Sequence, residues 1–136
     1  DGGEHLFAIR VYYEDTDAGG VVYHANYLRF FERARSDMLM CAGADHAEAL
    51  AERKGAYVVS AAELRFVRSA RLNDALLVRT RIEEVRSAAC VVQQRVMRDA
   101  QLVCEGKLTV AWVGPDGRPR RQPKTWLEAF GTVTST

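Results

Sequence analysis

Between Ala75 and Trp112 apolar side chains recur at every second position, in three successive runs separated only by short polar links. Leu76, Val78, Thr80 and Ile82 alternate with Leu77, Arg79, Arg81 and Glu83. Cys90, Val92, Gln94 and Val96 repeat the pattern, and Leu102, Cys104, Gly106, Leu108, Val110 and Trp112 carry it further. A period of two marks a strand with one buried face. Links as short as Arg86–Ser87 and Asp99–Ala100 admit only hairpins, so the three segments form an antiparallel meander. Its apolar face needs a cover.

The cover lies upstream. Tyr27, Phe30, Phe31, Ala34, Met38 and Cys41 recur at helical spacing, with Arg29, Glu32, Arg33 and Ser36 on the opposite face. Asn26 is placed to cap the start of this helix, and Gly43 to end it. His5 to Tyr13 and Tyr57 to Arg68 read as two further strands. A short helix is expected over Asp45 to Arg53, stopped at Gly55. Gly114 to Gly117 turns the chain out of the last strand, and a terminal helical turn, Lys124 to Phe130, is expected to dock Trp126 and Phe130 on the sheet. The sum is an α+β fold, a five-stranded antiparallel sheet around one long helix. With 136 residues and no linker or repeat, positions 1–136 read as a single domain. The other face of the sheet must meet solvent or another sheet, and a homodimer at least is expected.

No apolar run approaches the roughly 20 residues of a membrane-spanning helix, and none near the start resembles a signal segment; a soluble, cytoplasmic protein is expected. Three cysteines without paired spacing, Cys41, Cys90 and Cys104, read as reduced thiols in the core. The net charge of +1 conceals an asymmetry: residues 1–63 carry 6 basic and 11 acidic side chains, residues 64–136 carry 13 and 7. No basic stripe interleaved with aromatics accompanies the excess, so nucleic acid is not the expected partner; a small ligand bearing several phosphates suits it better. His5, His24 and His46 have no short ligand spacing with one another or with the cysteines, so no zinc site is expected, and the glycine-rich phosphate loops are absent. An EF-hand is excluded too, because Gly19 and Asn26 stand where that loop needs acids.

The chemistry concentrates in Glu14 to Gly20, EDTDAGG, with three carboxylates and two glycines just before the helix. A carboxylate beside the electropositive end of a helix is a plausible hydrolytic arrangement: free N–H groups stabilise an oxyanion while Asp17 attacks a carbonyl or deprotonates a water. His24 can hold water or shuttle a proton, and Tyr13 and Tyr23 offer hydroxyl donors. The same composition also suits an ordinary loop. On residues alone the site is a candidate carboxylate hydrolase and no more.

The run RVYYEDTDAGGVVYHANYLRFFERAR, Arg10 to Arg35, closely resembles the start of the hot-dog-fold acyl-CoA thioesterases of the 4-hydroxybenzoyl-CoA thioesterase group, in particular the bacterial Tol–Pal-associated subfamily. A weaker likeness continues through Phe66 to Asp74 and Gly117 to Pro123. The resemblance implies acyl-CoA as substrate, with acyl carrier protein as a further partner, and no cofactor or metal. It implies a homodimer or homotetramer working in lipid metabolism. Asp17 falls on the family's catalytic carboxylate, nucleophile or general base, and His24 on a position whose N–H points at the thioester carbonyl. Tyr13 matches a tyrosine near the site. Gly19, Gly20, Val21 and Val22 match the loop against which the thioester lies, and Asn26 begins the central helix. Ser69 and Asn73 depart from the family pattern, which has a proline and an acid there. The phosphates of coenzyme A give the basic half a purpose, with Arg65, Arg68 and Arg71, or the cluster Arg118, Arg120, Arg121 and Lys124, as candidate contacts. Two rival functions remain at this stage: a dehydratase or hydratase of β-hydroxyacyl thioesters, and a non-catalytic scaffold that binds partners. Tyr27, Phe30 and Phe31 could line an acyl pocket, but their spacing favours the core.

Overall fold

The computed structural model describes residues 3–43, 48, 52, 54–124 and 127. The helix and the five strands appear in the expected order: β1 (His5–Arg10), α1 (Asn26–Cys41), β2 (Ala56–Phe66), β3 (Ala75–Val85), β4 (Ala89–Arg98) and β5 (Gln101–Val113). A 3-10 turn, Tyr13–Asp15, follows β1, which stops at Arg10 rather than running on to Tyr13. The helices expected over 45–53 and 124–130, with the docking of Trp126 and Phe130, fall largely outside the described residues.

The strands form one sheet in the order β1-β3-β4-β5-β2. All four pairings are antiparallel. Inward residues meet across the ladders as the alternation requires: Val78 faces Val96, Gln94 faces Gly106, and Tyr57 faces Trp112. Bulges between Ile82 and Glu84, Val59 and Ala61, and Val96 and Met97 each shift the register by one residue. Such insertions bend and twist a strand, which suits a sheet wrapping a cylinder.

α1 lies on the inner face, and its two halves meet different parts of the sheet. Tyr27, Phe30, Phe31 and Ala34 pack with Val78, Val96, Cys104 and Leu108. Met38 and Leu39 pack with Ile82, Cys90, Val92, Val110 and Trp112. Gly106 brings helix and sheet close, because a Cβ there would lie 2.9 Å from the Phe31 ring and 3.1 Å from Leu108. Cys90 and Cys104 are core residues as expected, but Cys41 is exposed and Leu39 takes its place in the apolar stripe. Cys41 is the last residue of α1 and stands at the end of the apolar stripe.

One polar knot crosses the core. Gln94 donates to the Phe31 carbonyl at 3.0 Å and to Thr80 Oγ1 at 2.9 Å, and accepts from Arg35 at 2.9 Å. Every group in it has a partner, as burial of polar atoms demands. Gln122 similarly ties the late chain to the β3–β4 hairpin, donating to the carbonyls of Arg86 and Ala89 and accepting from the Tyr57 hydroxyl.

The outer face is charged and internally paired. Glu4 bridges Arg79 and Arg95, both at 2.8 Å, and Arg65 meets Glu105 at 2.6 Å. Such a face is suited to water. Apolar exposure lies instead along β2, at the sheet's edge, where Val58, Val59 and Phe66 are 44%, 45% and 51% exposed. Among the described residues no helix is long and apolar enough to cross a membrane.

Candidate active site

The loop between β1 and α1 is ordered by one buried carboxylate. Asp15, only 4% exposed, accepts the Tyr12 N–H and the Asn26 side-chain amide, each at 2.8 Å, and its carbonyl accepts the Tyr23 N–H at 2.9 Å. Asn26 therefore does not cap α1. It is the first helical residue, Ala25 occupies the cap position without a side-chain bond, and the Asn26 amide is directed backwards to Asp15. Its Nδ2 donor goes to Asp15, and the side chain makes none of the bonds to first-turn N–H groups that a cap would make.

Residues 16–22 then form a small hairpin-like turn. Thr16 bridges Val22, the Asp17 N–H donates to the Val21 carbonyl at 2.8 Å, and Gly20, at φ +81°, closes the turn onto the Asp17 carbonyl at 3.0 Å. The far side is stitched to the chain before β3, where Val21 bridges Arg71 and the Val22 N–H donates to the Ala70 carbonyl at 2.8 Å. Val22 is buried and Val21 half-buried, so the two valines anchor the turn.

Within this frame Asp17 is exposed, and Oδ1 accepts the Gly19 N–H at 2.8 Å. That bond orients the carboxylate and leaves Oδ2 toward solvent. The Tyr23 and Asn26 N–H groups are taken up by the carbonyls of Asp15 and Tyr23. Those of His24 and Ala25 fall between them, where a helix has no preceding turn to accept from its donors. The His24 ring lies 4.6 Å from Tyr23 and edge-on to Phe66 at 6.1 Å, and Phe66 lies 5.8 Å from Tyr27. An aromatic wall thus stands beside the helix start. Phe66, from the end of β2, was not singled out in the sequence, since nothing local ties position 66 to position 24.

Tyr13, in the 3-10 turn, is 82% exposed, and its carbonyl accepts from Thr16. No hydrogen bond joins Tyr13, Asp17 and His24 to one another. They share the loop rather than a relay. Of the arginine candidates, Arg65 faces outward on Glu105, Arg68 donates to the Leu102 carbonyl at 2.7 Å, and Arg71 alone adjoins the loop, through its bridge to Val21. Arg98 joins this neighbourhood, donating to Asp74 Oδ2 and the Ser69 carbonyl. The Arg71 N–H, the largest influence, and then the Arg98 guanidinium outweigh burial and hold the Asp74 carboxyl below its ordinary range. Asn73, one of the departures from the family pattern, has φ +72°, a conformation that asparagine tolerates better than most side chains. In the late cluster, Arg120 is 3.8 Å from Asp116.

A cavity of about 610 Å³ lies elsewhere, between the second half of α1 and the sheet, lined by residues that include Arg35, Leu39, Val58, Val59 and Cys90. No residue of the 13–26 loop lines it. The loop site is open within one chain.

One helix laid in a five-stranded antiparallel sheet is the hot-dog arrangement. Residues 11–130 match the Thioesterase-like superfamily, and the chain belongs to it. It is 44% identical over 107 residues, 79% of each chain, to the "Acyl-CoA thioesterase YbgC" of Haemophilus influenzae. With the "Acyl-CoA thioester hydrolase YbgC" of Escherichia coli O6:H1 the identity is 41% over 124 residues, covering 90% of this chain and 92% of that one. The crystal structure of a probable thioesterase from Bartonella henselae superposes with a TM-score of 0.83 at 36% identity, covering 88% of this chain and 99% of the other.

Proposed function

We propose that the chain is an acyl-CoA thioesterase in which Asp17 is the general base. Membership of the thioesterase family supplies the reaction class, and the observation that supports the site is the Asp17 carboxylate itself, fixed by the Gly19 N–H yet open to water. Asp17 takes a proton from a water whose oxygen attacks the thioester carbonyl carbon. The resulting oxyanion is met by N–H groups at the start of α1, that of His24 included, and the dipole of a 16-residue helix adds to the attraction. Collapse breaks the C–S bond, releasing the acid and the coenzyme A thiol, which takes up the proton. No metal or organic cofactor enters this scheme.

Tyr13, Asp17, Gly19, Gly20 and His24 are all exposed, whereas a hydrolytic site gains from excluding bulk water. Pairing of a second copy along the apolar β2 edge would protect that edge, and we read the working protein as at least a homodimer, with the substrate at the subunit boundary. The phosphates of coenzyme A are assigned to Arg71 in preference to Arg65, which Glu105 already engages. Three free thiols, one of them exposed, suit a cytoplasmic protein. Acyl carrier protein thioesters and a role in lipid metabolism extend the same chemistry.

The test is turnover of short, long and aromatic acyl-CoAs, followed by release of free thiol. Asp17→Asn is expected to lower kcat by roughly 100-fold or more with KM little changed. Near-normal turnover in that variant would sink the assignment. Single turnover in ¹⁸O-water separates base from nucleophile: as general base Asp17 acquires no label.

A further inference from the structure

His5 is far in sequence from Asp37 and Cys41, but the fold brings the three together at the end of α1 remote from the Asp17 loop. Asp37 and Cys41 are one turn apart on the helix and share a face. His5 opens β1 and enters from the sheet. His5 Nε2 is 2.9 Å from Asp37 Oδ2, Cys41 Sγ is 3.8 Å from the same oxygen, and the three ligand atoms all fall within 4.8 Å of one another.

The imidazole is the unusual member. Its side chain is only 11% exposed, and Nε2 is buried without a hydrogen bond. Asp37 Oδ2 approaches Nε2 to 2.9 Å without a hydrogen bond between them. Buried polar atoms in that condition call for an explanation, a bound ion among them.

We propose that His5 Nε2, Asp37 Oδ2 and Cys41 Sγ form a three-ligand site for a thiophilic divalent transition ion of the Zn²⁺ class, with water as the fourth ligand. Bond lengths of about 2.0–2.3 Å at tetrahedral angles place ligand atoms roughly 3.3–3.8 Å apart, and the observed separations reach that by small side-chain rotations. A thiolate, an imidazole and one carboxylate select zinc-like ions over magnesium or calcium, which want oxygen ligands. Exposed Cys41 and half-buried Asp37 leave the fourth position to solvent. Binding displaces the thiol proton, so affinity rises with pH. From Asn26 to Asp37 is 11 residues, about 16 Å along the axis, so the ion acts as a clamp between β1 and α1 and takes no part in thioester cleavage.

The test uses the full, tag-free chain, reduced with a phosphine. Co²⁺ titration is expected to give a 1:1 complex with thiolate-to-cobalt charge-transfer absorption, abolished by added Zn²⁺, and Zn²⁺ alone is expected to raise Tm. Cys41→Ser, at an exposed position, should lose the charge-transfer band, and His5→Gln should weaken binding about tenfold or more. Asp17→Asn should bind as the parent does, which separates this site from the catalytic one. Absence of the band in the parent, an undiminished affinity in His5→Gln, or a Tm indifferent to Zn²⁺ would each overturn the proposal.

Discussion

Asp15 rather than Asp17 should govern the stability of the loop between β1 and α1, and Asp15→Ala tests this. The substitution removes two acceptor oxygens from the Tyr12 N–H and the Asn26 amide, both at 2.8 Å. The Tyr12 N–H is only partly buried and can turn to water; Asn26 is 8% exposed, and its amide is left without an acceptor. A hydrogen bond to a charged group contributes about 1.5–3 kcal/mol, and an orphaned buried donor costs about 1–3 kcal/mol, so the expected loss is about 3 kcal/mol. For a domain of this size that corresponds to a fall in Tm of roughly 10 °C. Turnover should fall as well, although Asp17 is untouched, because the loop no longer holds its carboxylate in one place. A double-mutant cycle with Asn26→Ala isolates the bond: the singles should exceed additivity by about 1–2 kcal/mol. Strict additivity, or an Asp15→Ala Tm within about 2 °C of the parent, would refute the anchoring role.

Asp17→Asn, by contrast, should leave Tm unchanged within about 1 °C while abolishing most turnover, since its side chain is exposed and holds a single backbone donor. Gly106→Ala drives a Cβ to 2.9 Å from the Phe31 ring and should cost about 1–3 kcal/mol by overpacking, read as a shift in denaturation midpoint. Burial pushes the Cys90 thiol up to about 11 and the Cys104 thiol up to about 12, so in the native protein a thiol reagent near neutral pH should label Cys41 quickly and the other two only on unfolding. Burial pushes Glu4 up, but its bonds to Arg79 and Arg95 outweigh this and hold its carboxyl below the ordinary 4.5. The stability it confers is therefore complete above that value and disappears as pH falls through the lowered one, so Glu4→Gln should flatten the acid limb of a stability–pH curve.

The sheet and helix were legible because each presents one apolar face, and burial of one face imposes a period on the sequence. Residues 76, 78, 80 and 82 are buried as the alternation requires. The bulges were not legible. Val91 and Val92 are both buried, and one extra residue in a ladder leaves composition unchanged. The loop was recognisable by its acids and glycines, but its rigidity was not, because the bonds that stiffen it run to Ala70 and Arg71, about fifty positions away. Asn26 at a helix start reads as a cap, and only the fold shows that the buried Asp15 claims its amide. The grouping of His5 with Asp37 and Cys41 depends on how β1 crosses α1, which no local spacing encodes.

Two carboxylates of one type, two positions apart, thus acquire opposite tasks from their surroundings. Asp15 is buried and bonded through both carboxylate oxygens, which hold Tyr12 and Asn26 in register while its carbonyl holds Tyr23. Asp17 keeps an oxygen open to solvent because the loop around it is already satisfied by main-chain bonds to Val21, Gly20 and Ala70. For the base proposed at Asp17, a carboxylate held this way need not reorganise when a water loses its proton, which is where preorganised sites draw their rate advantage. Exchanging the acids' positions would fail for the same reason: an exposed residue at 15 would free Asn26, and on the proposed mechanism a buried one at 17 would have no water to activate.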